Sequence, residues 1–198
     1  AWNGHALLTN PLHVWHAPIF FPYPATLAYS DHHLLLALAA LPILALGEPI
    51  LAYNLLLLVS FAMSGWAVML LALALGDVER PTAGDLLAAF GAGAIFAFGT
   101  YRMTHLVHLQ LLQTAWLPFA LLFLHRYLRT PDRGGARWRD ALLSGIFAGM
   151  QCVTALYYAY FTALALGLFS ALWFAAAGWH SLRARAPLPW RQFGGLAL

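Results

Sequence analysis

Residues Ala141 to Gly178 read ALLSGIFAGMQCVTALYYAYFTALALGLFSALWFAAAG, a run of 38 positions without one Asp, Glu, Lys or Arg. Drawn out as a single helix rising about 1.5 Å per residue, it would reach about 57 Å, nearly twice the hydrocarbon thickness of a bilayer, about 30 Å. The run is therefore expected to fold back on itself. The polar cluster Gln151, Thr154, Tyr157 and Tyr158 is the expected place for the bend. This length argument makes the chain an all-α, polytopic membrane protein.

Composition agrees. Hydrophobic residues make up 62% and charged residues 9% of the chain, with a mean hydropathy of +0.72. A soluble domain has about 45 to 50% and about 25%. One cysteine, Cys152, excludes an internal disulfide framework. Arginine supplies all ten basic residues, and the net charge of +3 carries no nucleic-acid signal, because what matters is where those arginines sit. No phosphate-cradling glycine loop and no Ser-His-Asp nucleophile is present.

Outward from the central run, Trp179 to Arg191 is a loop carrying Arg183, Arg185, Pro187 and Pro189. On the other side, His125 to Asp140 reads as a solvent loop, with Arg126, Arg129, Arg133, Arg137 and Arg139 around Pro131 and a Gly134-Gly135 pair. Upstream, residues 109–124 form a span that Pro118 is expected to kink. A polar link from Thr100 to His108 precedes it. Residues 82–100 and 50–76 make two further spans across the turn of Asp77, Glu79, Arg80 and Pro81. With 141–155 and 158–178, about five transmembrane helices are expected, all within a domain covering residues 50–198.

Residues 1–49 differ. Leu34 to Leu46 is uncharged but only 13 residues long, short of the roughly 20 a crossing needs, and reads as a juxtamembrane helix over 34–46. Gly47-Glu48-Pro49 ends it, with Pro49 suited to open the next helix. From Asn10 to His33, Pro11, Pro18, Pro22 and Pro24 forbid a continuous helix. That shaped loop interleaves Trp15, Phe20, Phe21, Tyr23 and Tyr29 with histidines and Asp31, the composition of a platform at a membrane surface. The chain opens on Ala1 and stops inside an apolar run, so it is expected to be a piece of a longer protein. If 34–46 does not cross, nine of the ten arginines fall on one side, cytoplasmic by the positive-inside rule. The outer face then holds Arg102 and seven of the nine histidines: His5, His13, His16, His32, His33, His105 and His108.

The pattern NPLHVWHAPIFFPYP from Asn10, LAYSDH from Leu27 and GEPILAYNLLL from Gly47, continued by FAFGTYR from Phe96, HLVHLQ from His105 and LYY from Leu156, resembles the bacterial GT-C superfamily of membrane glycosyltransferases across nearly the whole chain. The resemblance implies a membrane-embedded enzyme of the bacterial cytoplasmic membrane, with residues 1–49 external. Such an enzyme moves a sugar from a polyprenyl-phosphate donor to an acceptor whose identity stays open. It also implies an acidic residue in the first external loop, which would lie upstream of Ala1.

Several residues fit that chemistry, each with a plainer alternative. Asp31, the one carboxylate of the loop, suits a general base that deprotonates an acceptor hydroxyl; it equally suits a cap for the helix starting near His33. Arg102 offers a fork of donors for the donor phosphate, or snorkels to lipid headgroups. His105 and His108, three apart, can share a divalent metal or a hydrogen-bonded ligand, with His32, His33, Asp31 or Glu48 as a third group, or simply pack at the interface. Tyr157 and Tyr158 can stack on sugar or prenyl groups, or belong to an aromatic belt. A non-catalytic transporter or lipid-binding scaffold is the competing reading, and it would place its ionisable groups at mid-membrane depth on broken helices.

Overall fold

The computed structural model describes residues 2–29, 33–129 and 136–184, and every regular element among them is helical. These are α1 (Trp2–Thr9), α2 (Leu34–Ala45), α3 (Pro49–Leu75), α4 (Ala83–Ala97), α5 (Thr100–Thr104), α6 (Leu109–Leu112), α7 (Trp116–Arg129), α8 (Ala136–Thr154) and α9 (Leu156–Ala184). Short 3-10 turns at Pro11–His13 and Thr26–Tyr29 shape the loop between α1 and α2. The chain divides into two compact units, residues 1–162 and 163–198. The described part of the second is the remainder of α9.

Local chemistry sets the helix ends. Pro49 occupies the first turn of α3, where its missing N–H costs nothing. Thr82 caps α4 in a reciprocal box: its Oγ1 accepts from the Asp85 N–H at 3.3 Å, and Asp85 Oδ2 accepts from the Thr82 N–H at 2.9 Å. Gly47, with φ of +80°, supplies the left-handed residue that lets the chain turn from α2 into α3.

Within the first unit, α3 is the central helix and packs on α2, α4, α6 and α7, while α7 packs on α8 and α1 on α2. Contact between α3 and α4 depends on Gly65 and Gly93, since a Cβ on Gly93 would collide with the Gly65 carbonyl oxygen. Small residues at a crossing let two apolar helices approach closely where lipid gives them no hydrophobic reason to associate. The core centres on Ala67, Ala115, Phe119 and Leu122. Phe147 of α8 stacks along α7 on Trp116, Phe119 and Phe123 at 6.1, 5.0 and 5.5 Å between ring centroids.

Among the described residues, three helical stretches are long and apolar enough to cross a membrane: Pro49–Leu75, Ala83–Thr104 and Tyr157–Arg183. This is fewer than the five expected. The span expected over 109–124 is two pieces, α6 and α7, because residues 113–115 leave the helix. Pro118 falls in the first turn of α7, where residue 114 lies outside the helix and no helical bond is lost, and so it does not kink a continuous helix. The span expected over 141–155 belongs to a helix that starts at Ala136 and takes Arg137, Arg139 and Asp140 into its first turns. The solvent loop expected over 125–140 shrinks accordingly, with α7 running to Arg129 and Arg137 and Asp140 buried. The long uncharged run is interrupted at Ala155, inside the polar cluster that marked it.

Candidate functional site

The break between α6 and α7 strips backbone groups of their helical partners in the interior of the first unit, among the buried Leu112, Gln113 and Ala115. Side chains from four other helices take over. Arg102 of α5 donates from Nε to the Ala97 carbonyl at 2.8 Å, and from Nη1 to the Leu112 carbonyl at 2.7 Å and to Thr114 Oγ1 at 2.6 Å. Its guanidinium also lies 4.7 Å over the Phe61 ring of α3. Gln151 of α8 donates from Nε2 to the Gln113 carbonyl at 3.0 Å and accepts the Leu117 N–H at 3.1 Å on Oε1. Tyr158 of α9 donates its hydroxyl to the Leu111 carbonyl at 2.7 Å. Ser64 of α3 completes the knot, with its hydroxyl 3.3 Å from that of Thr114.

Arg102 is thus only 4% exposed. Two of its three nitrogens are committed to protein acceptors, and its Nη2 has no hydrogen-bond partner among the described residues. Phe61 and Ser64 stand near the middle of the 27-residue α3, so this cation lies level with the middle of that helix. Tyr158 is drawn into the same knot, and Tyr157 meets it edge-on at 5.1 Å.

The histidines go elsewhere. His105 Nδ1 lies 2.7 Å from the Tyr101 carbonyl and 3.0 Å from the Thr104 hydroxyl. The His105 ring stacks on Tyr101 at 4.3 Å and lies 5.9 Å from His108. Among the described residues no three His, Cys, Asp or Glu side chains gather as a metal set. Asp31 and His32 lie outside the described residues.

Two cavities flank the link between α5 and α6. One, of about 540 Å³, lies beside the first turns of α3 and mixes apolar walls with Trp2, Asn3, His33, Tyr53, His108 and Gln110. Asn3 is 8% exposed, and its Nδ2 has no hydrogen-bond partner among the described residues. The other, of about 580 Å³, is an apolar groove between α3 and α4, walled by Phe61, Trp66, Phe90, Phe98, Met103 and Leu106. Leu106 borders the groove and Val107 the polar cavity. The Tyr53 hydroxyl, donating to the Leu106 carbonyl, fixes the divide between them.

Arg102 and Tyr158 brace a helix break, while His108 joins His33 in a cavity. Sequence reading missed Ser64, Thr114 and the bracing role of Gln151. The available signal was polar residues inside apolar helices, with Gln113-Thr114 beside Pro118. Comparison with protein families, characterised proteins and solved structures finds no match for this chain.

Proposed function

We propose that this chain is the membrane portion of a glycosyltransferase of the bacterial cytoplasmic membrane, moving a sugar from a polyprenyl-phosphate donor to an acceptor at the external face formed by residues 1–49. The observation that supports it is the adjacency of the two cavities. A lipid-borne sugar needs an apolar groove for its tail and a polar cavity for its head, and Leu106-Val107 divides two such spaces along one helix. His108 and His33, which line the polar cavity, are the described groups assigned to accept a proton there, and Asp31 lies outside the described residues.

The test is transfer in nanodiscs from a radiolabelled polyprenyl-phosphate sugar, paired with crosslinking by a polyprenyl phosphate carrying a diazirine in its tail. Crosslinks concentrated at Phe61, Phe90, Phe98 and Met103, together with transfer that His108→Ala weakens, support the reading. Crosslinks spread evenly over lipid-facing positions, without transfer, overturn it.

One observation favours the transporter or scaffold reading. Arg102 is a buried cation beside a broken helix at mid-α3 depth, a placement characteristic of substrate pathways through membranes. Crosslinking in the groove without transfer, but with movement of the lipid between leaflets, would select that reading.

A further inference from the structure

We infer that residues 18–25 form a tip that inserts into the lipid interface beside the polar cavity and seats the mouth of that cavity at the membrane surface. The loop is closed at its base by its own bonds: the Leu27 N–H donates to the Trp15 carbonyl at 3.1 Å, and the Thr26 hydroxyl donates to the Ala17 carbonyl at 3.1 Å. Thr26 is fully buried, and Val14, Ala17 and Leu27 pack inward beneath it. With the base pinned, the residues between must project. Phe20 is 64%, Phe21 93% and Tyr23 69% exposed, and the Tyr23 N–H donates to the Phe20 carbonyl at 3.1 Å to hold the turn.

Large aromatics exposed this fully are costly in water, and their occupant can be read from what surrounds them. No Asp, Glu, Lys or Arg occurs between Ala1 and Ser30, so histidines are the one source of side-chain charge there and the tip from 18 to 25 carries none. Ile19 and Ala17 line the same cavity as Pro49 and Tyr53, which open the membrane-length helix α3. Leu46, Ile50 and Val107, at or beside that cavity, are also strongly exposed apolar residues. The tip therefore continues an apolar surface that begins on a candidate membrane span. Aromatic rings are favoured at the level where lipid headgroups meet acyl chains. This inference holds whether or not the chain transfers a sugar.

Power-saturation spectroscopy of nitroxides tests it in phosphatidylcholine nanodiscs. Labels are placed singly at Phe21→Cys and Tyr23→Cys in a Cys152→Ser background. Ile95→Cys serves as the lipid-facing reference and Glu79→Cys as the aqueous one. Labels at 21 and 23 should relax with oxygen and lose relaxation by a water-soluble nickel chelate, as at 95. Nickel relaxation equal to that at 79 overturns the inference. So does spin-spin broadening that disappears on dilution with unlabelled protein, which would make a second copy the occupant. Two independent positions guard against one variant failing to fold.

Discussion

Arg102 and Arg129 show how one residue type is satisfied in two regions of the same helical unit. At mid-α3 depth Arg102 is buried, and its partners are two carbonyls and a threonine hydroxyl. At the end of α7 Arg129 is exposed, and it pairs with Asp77 at 2.8 Å in the turn that follows α3. Both tie distant segments together. The first does so where backbone groups have no water to fall back on, the second where water is always an alternative partner. The energetic weight of an arginine here depends on what replaces it after removal, not on how many bonds it makes.

The largest effect is expected at Arg102. Arg102→Ala leaves the Ala97 and Leu112 carbonyls buried and dry, at about 1–3 kcal/mol for each unsatisfied group. Thermal unfolding in detergent should show a loss of that order or more, together with protease cleavage in residues 111–117. Arg102→Lys should recover part of it, since a point donor cannot reach both carbonyls in a fixed fork. An alanine variant as stable as the parent would mean that the knot contributes little.

Next comes the α3–α4 crossing, which sets the width of the apolar groove. Gly93→Ala places a methyl against the Gly65 carbonyl oxygen, so the helices must separate. Overpacking of this kind costs about 1–3 kcal/mol. Gly91→Ala, on the same helix with open space where its Cβ would stand, should be neutral to stabilising by about 0.5–1 kcal/mol. Equal effects at the two positions would point to glycine's backbone freedom rather than to the close approach.

The membrane class, the helical content and the interruption near Thr154 were legible because they rest on charge-free length, a property of sequence alone. The number of spans was not. Residues 109–124 carry no charge and only Gln110, Gln113 and Thr114 as polar side chains, and whether such a run stays helical depends on Arg102, Gln151 and Tyr158 arriving from elsewhere to relieve a break. Arg102 looked solitary for the same reason: its acceptors are backbone carbonyls, which carry no sequence signature. The loop's aromatic character was plain, but which of its rings point outward depends on the Trp15–Leu27 and Ala17–Thr26 bonds that pin its base.

A smaller effect is expected at His125, near the charged end, where its Nε2–H donates to the Ala74 carbonyl at 3.1 Å. Burial, aided by the Arg129 charge, lowers its pKa below the ordinary histidine value, against the weaker opposing pull of the Ala74 bond and Asp77. The unfolded chain therefore takes up the proton first as pH falls. Stability contributed by neutral His125 is complete above the unfolded pKa, about 6.5, and is lost as pH drops from there through the folded value. Unfolding measured from pH 7.5 to 5 should show that loss in the parent and less of it in His125→Gln.

The smallest effect is expected at Arg129, and it sharpens the comparison most directly. Its ion pair with Asp77 is short, yet both side chains are largely in water. When either partner is removed, the other is resolvated at little cost. Exposed pairs of this kind are worth about 0.2–1 kcal/mol and weaken with salt. A double-mutant cycle of Arg129→Ala and Asp77→Ala should therefore return a coupling in that range at low ionic strength and close to none at 1 M salt. Asp77 also holds a φ of +56°, a conformation that alanine adopts less readily than aspartate, so Asp77→Ala alone should cost more than Arg129→Ala. The cycle subtracts that backbone contribution. A coupling as large as the Arg102→Ala loss, undiminished by salt, would mean that this end of the unit is shielded from water, and the contrast between the two arginines would fail.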